Sequence, residues 1–142
     1  MLKNILPIYQ KDEPVNGQKS TVNSQRSIVN VNSQYNMLLY NVTVTIDLDI
    51  HEEWLSWMRE THIPDVMVTG LFISYRMSRL IGHEHTDSEI YSIQYLVKDM
   101  AHLLRYQNEF APALQQQHRE RYEGKFAAFR TVMEVVDHND RA

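Results

Sequence analysis

Hydrophobic and polar positions between Leu38 and Val136 follow two periods in turn. Over residues 38–47 the period is two: Tyr40, Val42, Val44 and Ile46 share one side, and Asn41, Thr43 and Thr45 share the other. That is the pattern of a half-buried strand. Residues 71–80 and 89–96 are rich in β-branched and aromatic residues and are joined by a polar link containing Gly82, which predicts a β-hairpin. Alternation sets Ile73, Tyr75 and Met77 on one face with Tyr91, Ile93 and Tyr95. Ser74, Arg76 and Ser78 go to the other face with Ser92 and Gln94. A last strand is read over 126–136, with Ala127, Phe129, Thr131, Met133 and Val135 on its apolar face. Ala128, Arg130, Val132 and Glu134 are then opposite.

The other segments run at helical spacing. Ile50, Trp54, Trp57, Met58 and Thr61 form one stripe, Asp49 with Glu52 has the spacing of a helix-start capping pair, and Pro64 is expected to close the helix. A short connector over 63–70 stops at Gly70. After the hairpin, Asp99 predicts the cap of a helix holding Met100, Leu103, Leu104 and Gln107. Pro112 opens a second helix in which Leu114, His118 and Tyr122 fall in line, and Gly124 ends it. The order β-α-β-β-α-β predicts an α+β, ferredoxin-like fold. It has a four-stranded antiparallel sheet in the order 4-1-3-2, covered by helices on one face.

Residues 1–36 are dominated by Asn, Gln and Ser and lack the apolar surface to offset their chain entropy. They are read as a flexible polar tail, a domain over 37–137 follows, and 138–142 form a polar end. Met37, at the head of the folded unit, is a candidate native start. The formal charge is -4, and the first 36 residues hold four cations and two carboxylates, so the rest stands at -6. An acidic domain without a basic stripe is a poor partner for nucleic acid. With no cysteine, thiolate metal sites and disulfides are excluded. Without an apolar run of membrane-spanning length or a signal-peptide pattern, a cytoplasmic location is expected.

Four places invite chemistry. The helix-free face, as phased above, puts Arg76 and Arg130 around a floor of Thr43, Thr45, Ser92 and Gln94. That arrangement suits an anion-binding surface, or a solvated face or dimer seam. Under the helices, Tyr75, Tyr91 and Tyr95 are directed toward Trp54, His118 and Tyr122. His118 there is a candidate base with Tyr95 and Tyr122 orienting a substrate, or the cluster is a hydrogen-bonded core. His62, at the expected helix exit beside Asp65, is read as a helix stop with a hydrogen-bonded histidine, or as an imidazole favoured in its charged form that lines the pocket mouth. His83, Glu84, His85 and Asp87 at the hairpin tip offer metal-ligand types on adjacent loop positions, and no metal site is assigned to them.

The runs His62-Ile63-Pro64-Asp65, Ser74-Tyr75-Arg76-Met77, Tyr91-Ser92-Ile93-Gln94-Tyr95, Phe110-Ala111-Pro112 and 125–131 carry a resemblance. From Met37 to about Val136 the chain resembles a family of small bacterial proteins with no assigned function, of the dimeric α/β-barrel superfamily. The resemblance implies a homodimer whose sheets pack through their helix-free faces, making a barrel interior of Arg76, Gln94 and Arg130. Members of that superfamily include cofactor-free monooxygenases, lactone isomerases and haem-binding enzymes, but none of their catalytic motifs matches positions here. The expectation is a cofactor-free homodimer binding a small anionic or aromatic ligand through Arg76, Gln94, Arg130, His62 and Tyr75. The alternatives are a cofactor-independent monooxygenase or isomerase using His118, Tyr95 and Tyr122, and a structural or regulatory dimer without a ligand.

Overall fold

A computed structural model of the chain describes residues 9–11 and 36–139. The expected tail and polar end otherwise lie outside the described residues. The strands are β1 (Tyr9–Lys11), β2 (Leu38–Asp47), β3 (Phe72–Arg79), β4 (Ser88–Val97) and β5 (Phe126–Glu134). They form one antiparallel sheet in the order β1-β5-β2-β4-β3. Its four long strands have the ferredoxin-like order expected from the sequence, and β1 adds a short edge beside β5, with Gln10 opposite Arg130.

Helices cover one face. Their apolar side meets Tyr40, Val44, Ile46, Tyr91, Ile93, Tyr95, Val97 and Ala128 of the sheet, all buried together with Trp54, Met58, Ile63, Val66 and Leu103. Burial of such side chains supplies most of the stabilisation, at about 1.5–3 kcal/mol for each large one.

The first helical segment departs from its expected form in three ways. Asp49 does not cap it; that carboxylate lies in a short 3-10 turn and pairs with Lys125 Nζ at 2.7 Å. Pro64 does not end it either: α1 (His51–Trp57) passes through a π-helical turn, Met58–His62, into α2 (Ile63–Met67). The Ile63 N–H reaches back five residues to the Met58 carbonyl. This wider ring, followed by a proline at the start of α2 where no N–H is required, lets the chain stay helical. The extra residue also shifts the phase, so Thr61 is exposed while Ile63 is buried and His62 faces inward.

In α3 (Met100–Glu109), Asp99 caps as predicted, its Oδ1 accepting from the His102 N–H at 2.9 Å. Asp99→Ala is expected to lower stability by about 1 kcal/mol, read as a shift of the urea midpoint with unchanged slope. Following Phe110, α4 (Ala111–Tyr122) carries Leu114, His118 and Tyr122 on its inner side, and Gly124 adopts φ 75° to release the chain into β5.

Two strand phases need correction. Phe72 and Ser74 flank a bulge in β3, and Ile73 within it is 56% exposed rather than facing the helices. In β5 the register pairs Val42 with Arg130 and Thr43 with Phe129. Cross-strand partners share a face, so Phe126, Ala128, Arg130 and Val132 lie under the helices. Ala127, Phe129, Thr131 and Met133 lie on the open side, the reverse of the sequence reading.

Candidate functional site

Reversing β5 separates the two arginines expected to flank one floor. Arg76 stays on the helix-free face, opposite Gln94, which in turn lies opposite Asn41. There Asn41 Nδ2 donates to Thr43 and Thr131 Oγ1, each at 3.1 Å, and Ser92 Oγ donates to Asn41 Oδ1 at 2.6 Å. An open groove of about 230 Å³ runs beside this ladder, lined by Leu39, Ser74, Arg76, Gln94, Leu96, Asp137 and His138 among others.

Arg130 instead enters the space between sheet and helices, a cavity of about 30 Å³. Its polar walls are His62 from the π-helical turn, Gln115 from α4, Arg130 from β5 and the phenols Tyr40, Tyr95 and Tyr106. Val42, Met58, Val66, Ile93 and Leu114 complete it. Thus His62, Tyr95 and Arg130, three of the residues singled out in the sequence, meet at one cavity. Gln115, Tyr40 and Tyr106 were not singled out. Tyr106 lies three residues beyond Leu103 on the buried stripe of α3, a spacing that reveals its inward direction but not its role.

Burial sets the protonation of this region. His62 is pushed down to about 4, first by desolvation, with Asp65 opposing and Arg130 reinforcing the effect. It is therefore neutral at pH 7, and the expectation of a charged imidazole at a helix exit fails because His62 lies inside the continuous helix. Its ring stacks on Trp57 at 5.1 Å and 30°, and its Nδ1 is buried without a hydrogen bond to any described residue. Burial also raises Tyr95 and Tyr106 above the usual phenol range, with neighbouring phenols adding to it and Arg130 opposing. Both remain protonated.

His118 lies next door, its ring 5.8 Å from that of His62, but not on the cavity wall. The Trp54 indole N–H donates to His118 Nε2 at 2.9 Å, which occupies that lone pair. Desolvation, then His62, Arg130 and Arg119, drive His118 down to about 3. Tyr122 packs on Trp57 and His118, and its hydroxyl joins Arg121 and Glu53 near the surface. Tyr75 is on the helix side of edge strand β3, 49% exposed, with its ring 6.4 Å from Tyr95. Tyr95 itself packs with Tyr40, Phe72 and Tyr106, while Tyr91 meets Trp54 and hydrogen-bonds His51 Nε2 at 2.6 Å. The expected single aromatic cluster is therefore two. Among the described residues no three His, Asp or Glu side chains form a metal-ligand group, and no helix is long and apolar enough to cross a membrane.

The family follows from the match of residues 37–136 to the model of a domain of unknown function, DUF4286. The chain belongs to the DUF4286 family. No curated protein matches its sequence. The DUF4286 domain is similar in structure to an ethyl tert-butyl ether D (EthD) family protein from Bacillus halodurans C-125. That match has 10% identity and a TM-score of 0.51, and covers 71% of this chain and 99% of the other. It is also similar to HapK from Hahella chejuensis, at 11% identity and a TM-score of 0.53, over 75% of this chain and 98% of the other. At such identities the likeness is one of fold: the ferredoxin-like architecture of the DUF4286 domain, with helices on one side of the sheet.

Proposed function

We propose that this DUF4286 protein binds a small molecule in the cavity between sheet and helices, and that it does so as a homodimer joined through the helix-free faces. The observation that carries the first part is the convergence of Arg130, Gln115 and the buried Nδ1 of His62 on one partly apolar cavity. A few polar groups set among apolar walls are the usual composition of a ligand site. Arg130 is the charged group in that wall, so an anionic or aromatic-bearing ligand fits better than a cation. Native mass spectrometry of the protein purified without denaturation tests this. A reproducible added mass, lost in Arg130→Met, supports the reading. Equal retention by Arg130→Met, with fold intact, overturns the role of the cavity.

The dimer reading is supported by the other face. Leu39 lies opposite both Leu96 and Met133, so three apolar side chains sit together on a side that no helix among the described residues covers. The adjacent polar ladder of Asn41, Thr43, Ser92 and Thr131 is hydrogen-bonded within the protomer. A second sheet therefore covers it without orphaning those groups, which is where burial of polar atoms becomes costly. Met133 is 39% exposed and lies outside the helix-side core, so Met133→Asp is expected to produce monomers with unchanged helix and sheet content. Light scattering at matched concentration is the measurement, and a wild-type chain that runs as a monomer sinks the dimer.

A further inference from the structure

We propose that the open groove on the helix-free face is a second binding site, for a small zwitterion with an ammonium and a carboxylate at opposite ends of a short carbon chain. Arg76 and Gln94 take the carboxylate, Asp137 takes the ammonium, and Leu39 with Leu96 supports the carbons between.

A cross-strand row of side chains that is satisfied along half its length carries this. Thr131, Asn41, Gln94 and Arg76 lie opposite one another in turn across β5, β2, β4 and β3, on the side away from the helices. Asn41 donates to Thr43 and Thr131 and accepts from Ser92. Gln94 and Arg76, next in the row, make no side-chain hydrogen bond or ion pair with any described residue, and both line the groove. A guanidinium fork beside a half-buried amide offers the donors that the planar pair of oxygens in a carboxylate accepts.

The far wall has the opposite sign. Beyond β5 the Val135 N–H donates to the Met37 carbonyl at 2.9 Å, and the chain then brings Asp137 to the same groove. Asp137 has no hydrogen bond or ion pair with a described residue, and it does not pair with Arg76. His138 also lines the groove, with an interaction of its own, and is assigned no part. The groove therefore holds a cation and an anion that stand apart. A plain monoanion or monocation gains from one of them and is repelled by the other, whereas a zwitterion is complementary to both.

Spacing and size follow from the sheet order. Leu39 and Leu96 lie opposite each other on β2 and β4, the strands between β5, from which Asp137 follows, and β3, which carries Arg76. Hydrocarbon thus separates the two charges, and methylene groups cover it favourably. An amino acid with both charges at one carbon leaves that floor uncovered. At about 10–15 Å³ for each water-sized group, about 230 Å³ admits roughly fifteen or more, about twice the non-hydrogen atoms of 4-aminobutanoate. All of these residues belong to one protomer, so the site does not depend on the dimer read above.

The test is a titration of the full chain at low ionic strength, followed by amide NMR shifts. The probes are 4-aminobutanoate, its singly charged counterparts butanoate and butylamine, and 2-aminobutanoate. The first is expected to bind about threefold or more tighter than each of the others, the size of one exposed ion pair. Shifts should centre on Ser74, Arg76, Gln94 and Asp137, and added salt should weaken binding. Arg76→Gln is expected to bring 4-aminobutanoate down to butylamine or below, and Asp137→Asn to bring it down to butanoate or below. Both residues are exposed, so the substitutions spare the core. Butanoate or butylamine matching 4-aminobutanoate overturns the zwitterion assignment, as does unchanged affinity in either variant. Tighter binding of 2-aminobutanoate overturns the separation of the charges. Shifts at His62 and Gln115 instead place the ligand under the helices, which overturns the groove and supports the earlier reading. A groove that no probe perturbs overturns this site and leaves that reading standing.

Discussion

Lowering the pH from 7 to 5 is expected to remove about 4 kcal/mol of stability, ahead of the range in which surface carboxylates titrate. His62 and His118 carry this. Their ordinary value of 6.5 is lowered to about 4 and about 3 in the folded protein, mainly because burial disfavours the imidazolium. Between those values and 6.5 the unfolded chain binds more protons than the folded one, so stability rises with pH across that window. The contribution is complete above 6.5 and is lost progressively as pH falls toward 4. Each pH step below 6.5 costs about 1.4 kcal/mol per histidine, hence about 2 kcal/mol for each at pH 5. Asp65 favours the imidazolium of His62 and Arg130 opposes it, while His62, Arg130 and Arg119 oppose the imidazolium of His118, whose ring lies 5.8 Å from that of His62. Urea unfolding at several pH values measures the slope, and His118→Gln should flatten it by roughly half. Equal stability at pH 7 and pH 5 defeats the prediction.

The strand order and most face assignments were legible because they depend on contrast. In β2 the alternation of Tyr40, Val42, Val44 and Ile46 with Asn41, Thr43 and Thr45 leaves one arrangement in which the apolar side is buried, and the register agrees with it. In β5 contrast is missing. Phe126 and Phe129 are three apart and must lie on opposite faces, so either phase exposes an aromatic ring. What decides between them is tertiary: the register sets Ala128 opposite Val44, and the Phe126 ring packs perpendicular to His118 under the helices, 4.3 Å between centres. A charged Arg130 under the helices then follows, and no single-sequence pattern favours it.

His62 was located for a reason that did not hold and still reached the site. Its proximity to Pro64 suggested a helix end, where an imidazolium is stabilised. The π-helical turn removes that end and directs the ring inward, where burial reverses the preferred charge. One inserted residue in a helix therefore changes both the direction and the protonation of a side chain, and such turns often mark functional positions. With β5 reversed as well, the cation expected on an open surface and the imidazole expected at a rim become neighbours on one cavity wall.

Trp54→Ala is expected to cost about 3–5 kcal/mol, a large share of the roughly 5–15 kcal/mol that holds a domain of this size. Trp54 has 0% exposure, packs on Tyr91 with ring centres 5.2 Å apart, and donates its indole N–H to His118. Truncation opens a void and leaves the His118 acceptor in a dry place, two costs that add. Trp54→Phe separates them, keeping most of the volume while deleting the donor. A double-mutant cycle against His118→Leu, read by urea unfolding at pH 7.5, is expected to give a coupling of about 0.5–1.5 kcal/mol. If Trp54→Phe costs the same in both backgrounds, the hydrogen bond adds no net stability and His118 is held by packing alone. Neither Trp54 nor His118 lines the cavity, so Trp54→Phe should keep whatever added mass the wild-type chain carries in native mass spectrometry. Loss of that mass would mean that the Trp54–His118 pair fixes the position of His62, since the two imidazole rings lie 5.8 Å apart between centres, and the core and the site would then be one mechanical unit.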